Sequence, residues 1–377
     1  MKLIINTSNL HGGGGTQVGF SFIHECIKFP ENEYSVFLCP QLSNEIDLKK
    51  FPSNFDFYNF PNPPSPSING LSVIKKLAEL EKQINPDCVF SIFGPTYWTP
   101  KSKHLMGFAN GHFLYSEFDF FKRLSIIERV QWRILSIAKR FFFLKNANYY
   151  HVETEDARSR LAKYLSCSLD SIYTVSNTYN SVYNSTIPEL AKILPLRTED
   201  EFRLVCISAY YSHKNLEILN KVIPLLFENG FSNIKFVLTI DQNIYTSKFS
   251  ELAKQQIMNI GPILIDNCPQ LYSECDAMFL PTLLECFSAN YPEAMKMRKP
   301  ILTSNLSFAI DVCADAALYF NPLDERDIFK TIINIFNNKP LHNELILRGI
   351  KRLKSFNSAE ERALKYIEIC KHIVTVI

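Results

Sequence analysis

Residues 277–295, AMFLPTLLECFSANYPEAM, run from four apolar residues through a Pro-Thr turn into a segment that fits a helix, so they read as one strand-turn-helix unit. Two carboxylates, Glu285 and Glu293, bracket the turn, one at the strand exit and one in the first helical turn. A carboxylate so placed accepts hydrogen bonds from vicinal hydroxyls, while the N–H groups of the turn stay available to phosphate or sugar oxygens. The same residues also allow a structural reading of Glu293. Asn290-x-x-Glu293 is a capping-box spacing, with Asn290 as N-cap and Pro292 tolerated in the first turn.

Outward from this unit, short apolar runs alternate with amphipathic segments, the pattern of a parallel sheet with crossover helices. Upstream, strands are predicted near 2–6, 34–39, 87–92, 103–109, 148–153 and 172–176, and helices near 16–28, 71–84, 123–145 and 155–165. The run FPNPPSPS at 60–67 is a loop inside this series, since strand and helix patterns resume on both sides. From about Tyr179 to Glu201 the periodicity weakens, and Arg203–Ser208 begins a second series with strands near 203–208, 233–240, 261–265, 276–280, 300–303 and 317–320. Three helical patterns follow Asp324 with no strand between them. The chain, at 377 residues, is long enough for two cores. The reading is therefore a Rossmann-like domain at 1–180, a second at 181–355, and a helix at 356–377 expected to pack back towards the first. Doubly wound domains bind ligands beyond the carboxyl ends of their strands.

Composition narrows the function. With 40 basic and 38 acidic residues the net charge is +2, which argues against a general nucleic-acid binder. The ten cysteines are scattered, without a C-x-x-C pair or zinc spacing, and are read as buried reduced thiols of a cytoplasmic protein. The start of the sequence, MKLIIN, goes straight into a strand-like run rather than a signal peptide, and no stretch is long and apolar enough to span a membrane.

Two further motifs follow strands. His11-Gly12-Gly13-Gly14-Gly15-Thr16 lies between the first strand and a helix, and five of the twelve glycines fall within the first nineteen residues. Glycines let backbone approach a ligand closely, and the helix behind them offers N–H groups to an anion. The spacing is neither G-x-G-x-x-G nor a P-loop, and a mobile surface turn is the structural alternative. Tyr210-Tyr211-Ser212-His213-Lys214-Asn215-Leu216 follows the strand at 203–208. A lysine in a first helical turn opposes the helix dipole, a conflict that a bound phosphate removes; a solvated loop lysine is the alternative.

Taken together, GPI at 261–263, LYSECDAMFLPTLLECF at 271–287, PEAM at 292–295, KPILTSN at 299–305 and DAALYFNPLD at 315–324 resemble the donor-binding domain of family 4 glycosyltransferases. The paired glutamates stand at that family's spacing, and the resemblance covers about 120 residues between Leu204 and Asp324. It implies a GT-B fold, two Rossmann-like doubly wound domains facing across a cleft, with C-terminal helices. It implies transfer of a sugar from a nucleotide-diphosphate donor with retention at the anomeric carbon and without metal or other cofactor. Carried over by motif, Lys214 holds the diphosphate, Glu285 lies against the sugar hydroxyls, Glu293 binds the ribose, and the Phe287-Ser288-Ala289 backbone meets sugar and phosphate. Gly13 and Gly14 come near the diphosphate, and His112 resembles the family's histidine near the donor sugar, with a structural histidine as the alternative. Glu285 and His112 are thus the catalytic candidates.

The chain departs from the family at Ser208-Ala209, where a Gly-Arg pair is usual, and at Cys286 and Ser288, where glycines are usual. One expected phosphate cation is missing. Cys286 is read as a packed thiol rather than a nucleophile. Residues 122–145 hold seven basic residues and one acidic one, with Trp132 and Phe141–Phe143 among them. This suits a helix on an anionic membrane surface; a crossover helix whose arginines line the diphosphate side of the cleft is the alternative. The expectation is a cytoplasmic glycosyltransferase, peripheral at the inner face of the membrane, acting on a glycan or lipid-linked acceptor in O-antigen or capsule synthesis. A sugar-nucleotide 2-epimerase and a catalytically silent binding protein on the same scaffold are the competing readings.

Overall fold

The structure, a computed structural model, describes residues 1–11, 13–122, 124–185 and 192–375, with the side chains of Asp119 and Lys122 outside the description. Gly12 of the glycine run, Arg123 of the basic segment and 186–191 in the boundary stretch therefore lie outside the described residues. The chain divides into two compact units, one of Met1–Glu117, Phe121–Asn177 and Asn357–Ile377, the other of Phe118–Phe120 and Thr178–Phe356.

The first unit is built on a parallel sheet of β1 (Lys2–Asn6), β2 (Glu33–Leu38), β3 (Phe55–Asn59), β4 (Cys88–Ser91), β5 (Lys103–Gly107), β6 (Tyr149–Val152) and β7 (Ile172–Thr174). Their spatial order is β3-β2-β1-β4-β5-β6-β7. Leu3 stands opposite Tyr34 on one side and Cys88 on the other, so the order reverses at β1, whose exit leads towards α1 (Gly14–Glu25). The basic segment forms α2 (Ile126–Asn146), started by a capping box between Ser125 and Glu128, and β6 leads into α3 (Glu155–Leu165), capped by Thr154.

The second unit repeats the plan with β8 (Phe202–Cys206), β9 (Ile234–Leu238), β10 (Ile257–Asn259), β11 (Ala277–Leu280), β12 (Ile301–Ser304) and β13 (Ala317–Phe320), in the order β10-β9-β8-β11-β12-β13. Met278 of β11 is opposite Val205 of β8 and Ile301 of β12. Successive connections thus run one way from β8 to β10 and the other way from β11 to β13. The place where they part, between β8 and β11, is where doubly wound sheets leave room for ligands. The helices here include α4 (Leu219–Glu228) and α5 (Asn290–Lys296).

The last helix, α6 (Ala359–Thr375), belongs to the first unit. Its Ala363, Tyr366, Ile367, Cys370 and Ile373 share one buried core with Leu3, Ile5, Phe22 and Phe90. Tyr366 meets Phe22 edge-on at 5.6 Å between ring centroids. Arg362 is buried beside them and donates to Asn177 and, at 2.8 Å, to Ser21 Oγ.

Two strands differ from the sequence reading, and both lie at sheet edges. β3 was not expected: its faces are half exposed, so the apolar pattern that marks a buried strand is weak. The strand expected at 261–265 is instead β10, at Ile257–Asn259. Gly261 takes a φ of 78° and Pro262 follows it, which ends pairing before the apolar run at 263–265. All ten cysteines are free thiols, nine of them buried.

Candidate functional site

In the second unit the loops leaving β8 and β11 meet. Lys214 Nζ donates to Glu285 Oε1, and the two side chains are 11% and 13% exposed. The backbone fixes this approach. Leu283 N–H donates to the His213 carbonyl at 2.7 Å, and Thr282 Oγ1 lies 3.2 Å from both that carbonyl and Glu285 Oε1. Asn215, left-handed at φ 56°, donates from Nδ2 to the carbonyl of Pro322 at 2.8 Å. Lys214 therefore does not sit in the first turn of α4, as the sequence suggested. It ends a tight turn at Ser212–Lys214, and α4 begins at Leu219. The dipole conflict is absent, and the lysine is held by a carboxylate instead. His213 stacks on Tyr211 at 5.5 Å, and burial, with Lys214 beside it, pushes its imidazole down to about 4, so it is neutral at pH 7.

Glu293 is buried in α5, and burial pushes its carboxyl up to about 7. The Tyr183 hydroxyl, short of full hydrogen-bond geometry, works the other way by favouring the charged form. The capping-box reading of this glutamate is not what the chain adopts. The N-cap of α5 is Ala289 without a side-chain cap, and Asn290 Nδ2 donates instead to the carbonyl of Ile207 at 2.9 Å. That bond ties the start of α5 to the end of β8. Glu293 thus has no capping role, and its carboxyl is a buried group near neutrality.

Between the glutamates, Phe287 and Ala289 are half-buried and Ser288 is buried. The N–H groups of Phe287, Ser288 and Ala289 have no intramolecular acceptor among the described residues. Phe287 packs edge-on against Phe356 at 6.1 Å. Cys286 is 5% exposed, a packed thiol. Ala209 is exposed beyond the end of β8. Among the described residues, no three His, Cys, Asp or Glu side chains converge as a metal cradle.

The remaining candidates lie in the first unit. Gly13, at φ 72° and ψ −154°, is the N-cap of α1, its carbonyl accepting from Thr16 Oγ1 at 2.8 Å. Gly13 and Gly14 are exposed, and a Cβ added to Gly14 would meet nothing within 4 Å. His112, in the short helix Gly111–Leu114, lies flat on Trp132 of α2 at 4.8 Å between centroids and 1° between planes. The structure thus groups Lys214, Glu285, Phe287, Ser288, Ala289 and Glu293 around one switch point, and places Gly13, Gly14 and His112 in the other unit.

Sequence reasoning did not find Thr282, Asn215 or Tyr183. Thr282 and Asn215 were visible as turn residues beside the motifs. Tyr183 sits in the aperiodic boundary stretch, where no pattern marks it as buried against Glu293.

Residues 201–338 match the family described as Glycosyl transferases group 1. The O-antigen chain mannosyltransferase RfbU of Salmonella typhimurium is 24% identical over 168 residues, 43% of this chain and 44% of that one, so the match spans less than half of either. A glycosyltransferase from Rickettsia africae has a similar structure, with a TM-score of 0.73 at 16% identity over 100% of this chain and 99% of that one. WaaG, a glycosyltransferase involved in lipopolysaccharide biosynthesis, gives 0.72 at 13% identity over 98% and 99%. HepE of Anabaena, solved with UDP and glucose, gives 0.71 at 12% identity over 98% and 99%. At these identities the structural likeness establishes the fold, which is GT-B.

Proposed function

For a chain of GT-B fold whose residues 201–338 match the glycosyl transferases group 1, we propose the transfer of a sugar from a nucleotide-diphosphate sugar to a glycan or lipid-linked acceptor, with retention at the anomeric carbon. The observation that carries this is the group Lys214, Glu285 and Glu293 at the β8/β11 switch point. It offers one cation for a diphosphate, one carboxylate for sugar hydroxyls and one buried carboxyl for a ribose. In the reaction the acceptor oxygen bonds to the anomeric carbon as the bond from that carbon to the diphosphate breaks. The acceptor proton passes to the departing diphosphate. Lys214 and the free N–H groups of 287–289 stabilise the charge that develops there, so the transfer is read as metal-independent.

His112, Gly13 and Gly14 enter this reading through the resemblance alone, as groups serving the donor. The name of RfbU and the role of WaaG support a surface polysaccharide such as an O-antigen as the product class. The basic and aromatic residues of 122–145 are what support an enzyme peripheral at the inner face of a membrane. HepE, which binds UDP-glucose, supports a nucleotide sugar as donor.

The test is a thermal-shift screen against UDP-, GDP-, dTDP- and CMP-linked sugars, followed by turnover with the one that stabilises. A donor at 100 times its Kd adds roughly 2.7 kcal/mol. Retention is read from the anomeric proton of the product. No stabilisation by any nucleotide sugar overturns the reading, and release of an epimerised free sugar without acceptor replaces it with the 2-epimerase.

A further inference from the structure

Helix α2 turns an apolar face to solvent. Ile127, Val130, Ile134, Ile137, Phe141 and Leu144 are 71%, 49%, 64%, 71%, 57% and 40% exposed. They are spaced by three, four, three, four and three residues, so they form one continuous stripe along the helix. At 1.5 Å per residue the stripe is about 26 Å long. The opposite face, with Trp132, Ser136 and Phe143, packs on the first unit. Isolated exposed apolar residues are ordinary, but a continuous exposed stripe marks an interaction surface.

The charges beside the stripe decide its partner. Arg133 is exposed on one flank, Arg129 one turn before it donates from Nε to the carbonyl of Leu124 at 2.9 Å, and Lys145 lies near the C-terminal end with its ammonium 5.7 Å from the Phe141 ring centroid. Arg133 makes no ion pair among the described residues. The helix carries one acid, Glu128, which is already bound to the Ser125 N–H in the capping box. A second copy laid on this face would set like-charged rows together with no acid to answer them. An anionic headgroup layer answers them, while its acyl boundary takes the stripe.

The structure also sorts the cations expected on this surface. Arg140 is turned down, donating to the carbonyls of Tyr164 and Leu165 at 2.6 and 3.0 Å, where it caps α3. Lys139 is held by Tyr97, its ammonium 5.0 Å from the ring centroid. Neither is available to a surface without unpacking the helix.

We propose that α2 docks the chain on an anionic phospholipid bilayer, with Ile127, Val130, Ile134, Ile137 and Phe141 entering the acyl boundary and Arg133 meeting headgroups. This names the membrane contact of the reading above, and its test needs no turnover. The full chain is sedimented with vesicles of phosphatidylcholine mixed with phosphatidylglycerol and with vesicles of phosphatidylcholine alone. Wild type is expected to bind the mixed vesicles more tightly. Ile134→Asp with Ile137→Asp should weaken that binding by roughly tenfold or more without changing the melting temperature, because both residues are exposed. Arg133→Gln should cost about fivefold on the mixed vesicles alone. Unchanged binding by the double aspartate variant overturns the proposal. So does a wild-type dimer that this variant converts to monomer while neither chain binds vesicles. Nucleotide-diphosphate affinity, measured by calorimetry on the same two chains, is expected to be equal, and that result bears on the donor site separately.

Discussion

Lys214 and Glu285 are paired across 71 positions of sequence, and the pair joins the two loops that part at the centre of the second sheet. A cation and a carboxylate intended for different parts of one ligand are here each other's partner. A bound diphosphate has to draw the ammonium away or share it.

Lys214→Met should therefore weaken nucleotide-diphosphate binding by about 1.5 to 3 kcal/mol, the range for hydrogen bonds to charged groups, without unfolding the chain. Glu285→Gln frees the ammonium, so it should keep or improve that affinity while turnover falls. Calorimetry and steady-state kinetics on both variants check this. Equal nucleotide affinity in Lys214→Met and wild type removes the lysine from the site.

Glu293 predicts a pH dependence of defined sign. Its carboxyl stands at about 7 in the fold against an ordinary 4.5, so between those values the folded chain holds a proton that the unfolded chain releases. The resulting stability is full below the lower value, declines as pH rises, and is gone above the upper one. Wild type should lose on the order of 3 kcal/mol relative to Glu293→Gln across that window, read from urea unfolding. Ribose hydroxyls donating to the carboxylate favour its charged form, so nucleotide binding should release a proton and tighten as pH passes through about 7. Calorimetry in buffers of different ionisation enthalpy measures that proton.

The stack of His112 on Trp132 separates a structural histidine from a chemical one. His112→Phe keeps a flat ring against the indole and removes both ring nitrogens. If the imidazole serves the donor, this variant should lose turnover at an unchanged melting temperature. Activity close to wild type would assign His112 to packing.

Gly13 and Gly14 should behave differently although they are adjacent. Gly13 occupies a backbone region essentially closed to other residues, so Gly13→Ala should destabilise the first unit by about 1 to 3 kcal/mol. Gly14 opens onto free space, so Gly14→Ala should leave the melting temperature unchanged or slightly raised. A fall in turnover for Gly14→Ala alone would mark close approach of a ligand to that backbone.

Much of this architecture was legible because central strands declare themselves. β11 is buried along its whole length, so an unbroken apolar run bounded by a turn announced it, and the glutamates could be placed at its exit. The edge strands β3 and β10 were not legible, since a strand with one neighbour and half-exposed faces carries little periodicity. The ion pair of Lys214 was hidden for another reason: it exists only because β8 and β11 are adjacent, and local sequence carries no record of which strands pair. Asn290 shows how a local motif misleads. Its spacing to Glu293 fits a capping box, yet its amide is taken by the carbonyl of Ile207, 83 positions earlier.

The return of α6 to the first unit makes the second unit an insertion within the first. On the ribosome the opening 177 residues emerge without Tyr366, Ile367 and Cys370, which complete their core. Arg362 reaches Asn177 from 185 positions downstream, and at 5–20 residues per second that interval lasts roughly 10 to 40 s. Through that time the nascent amino-terminal sheet shows an uncovered apolar face, while the inserted unit, continuous from Thr178 to Phe356, can close on itself. The order of biogenesis is thus set by topology: the unit synthesised second is the first able to finish, and the amino-terminal core closes only once α6 has been made.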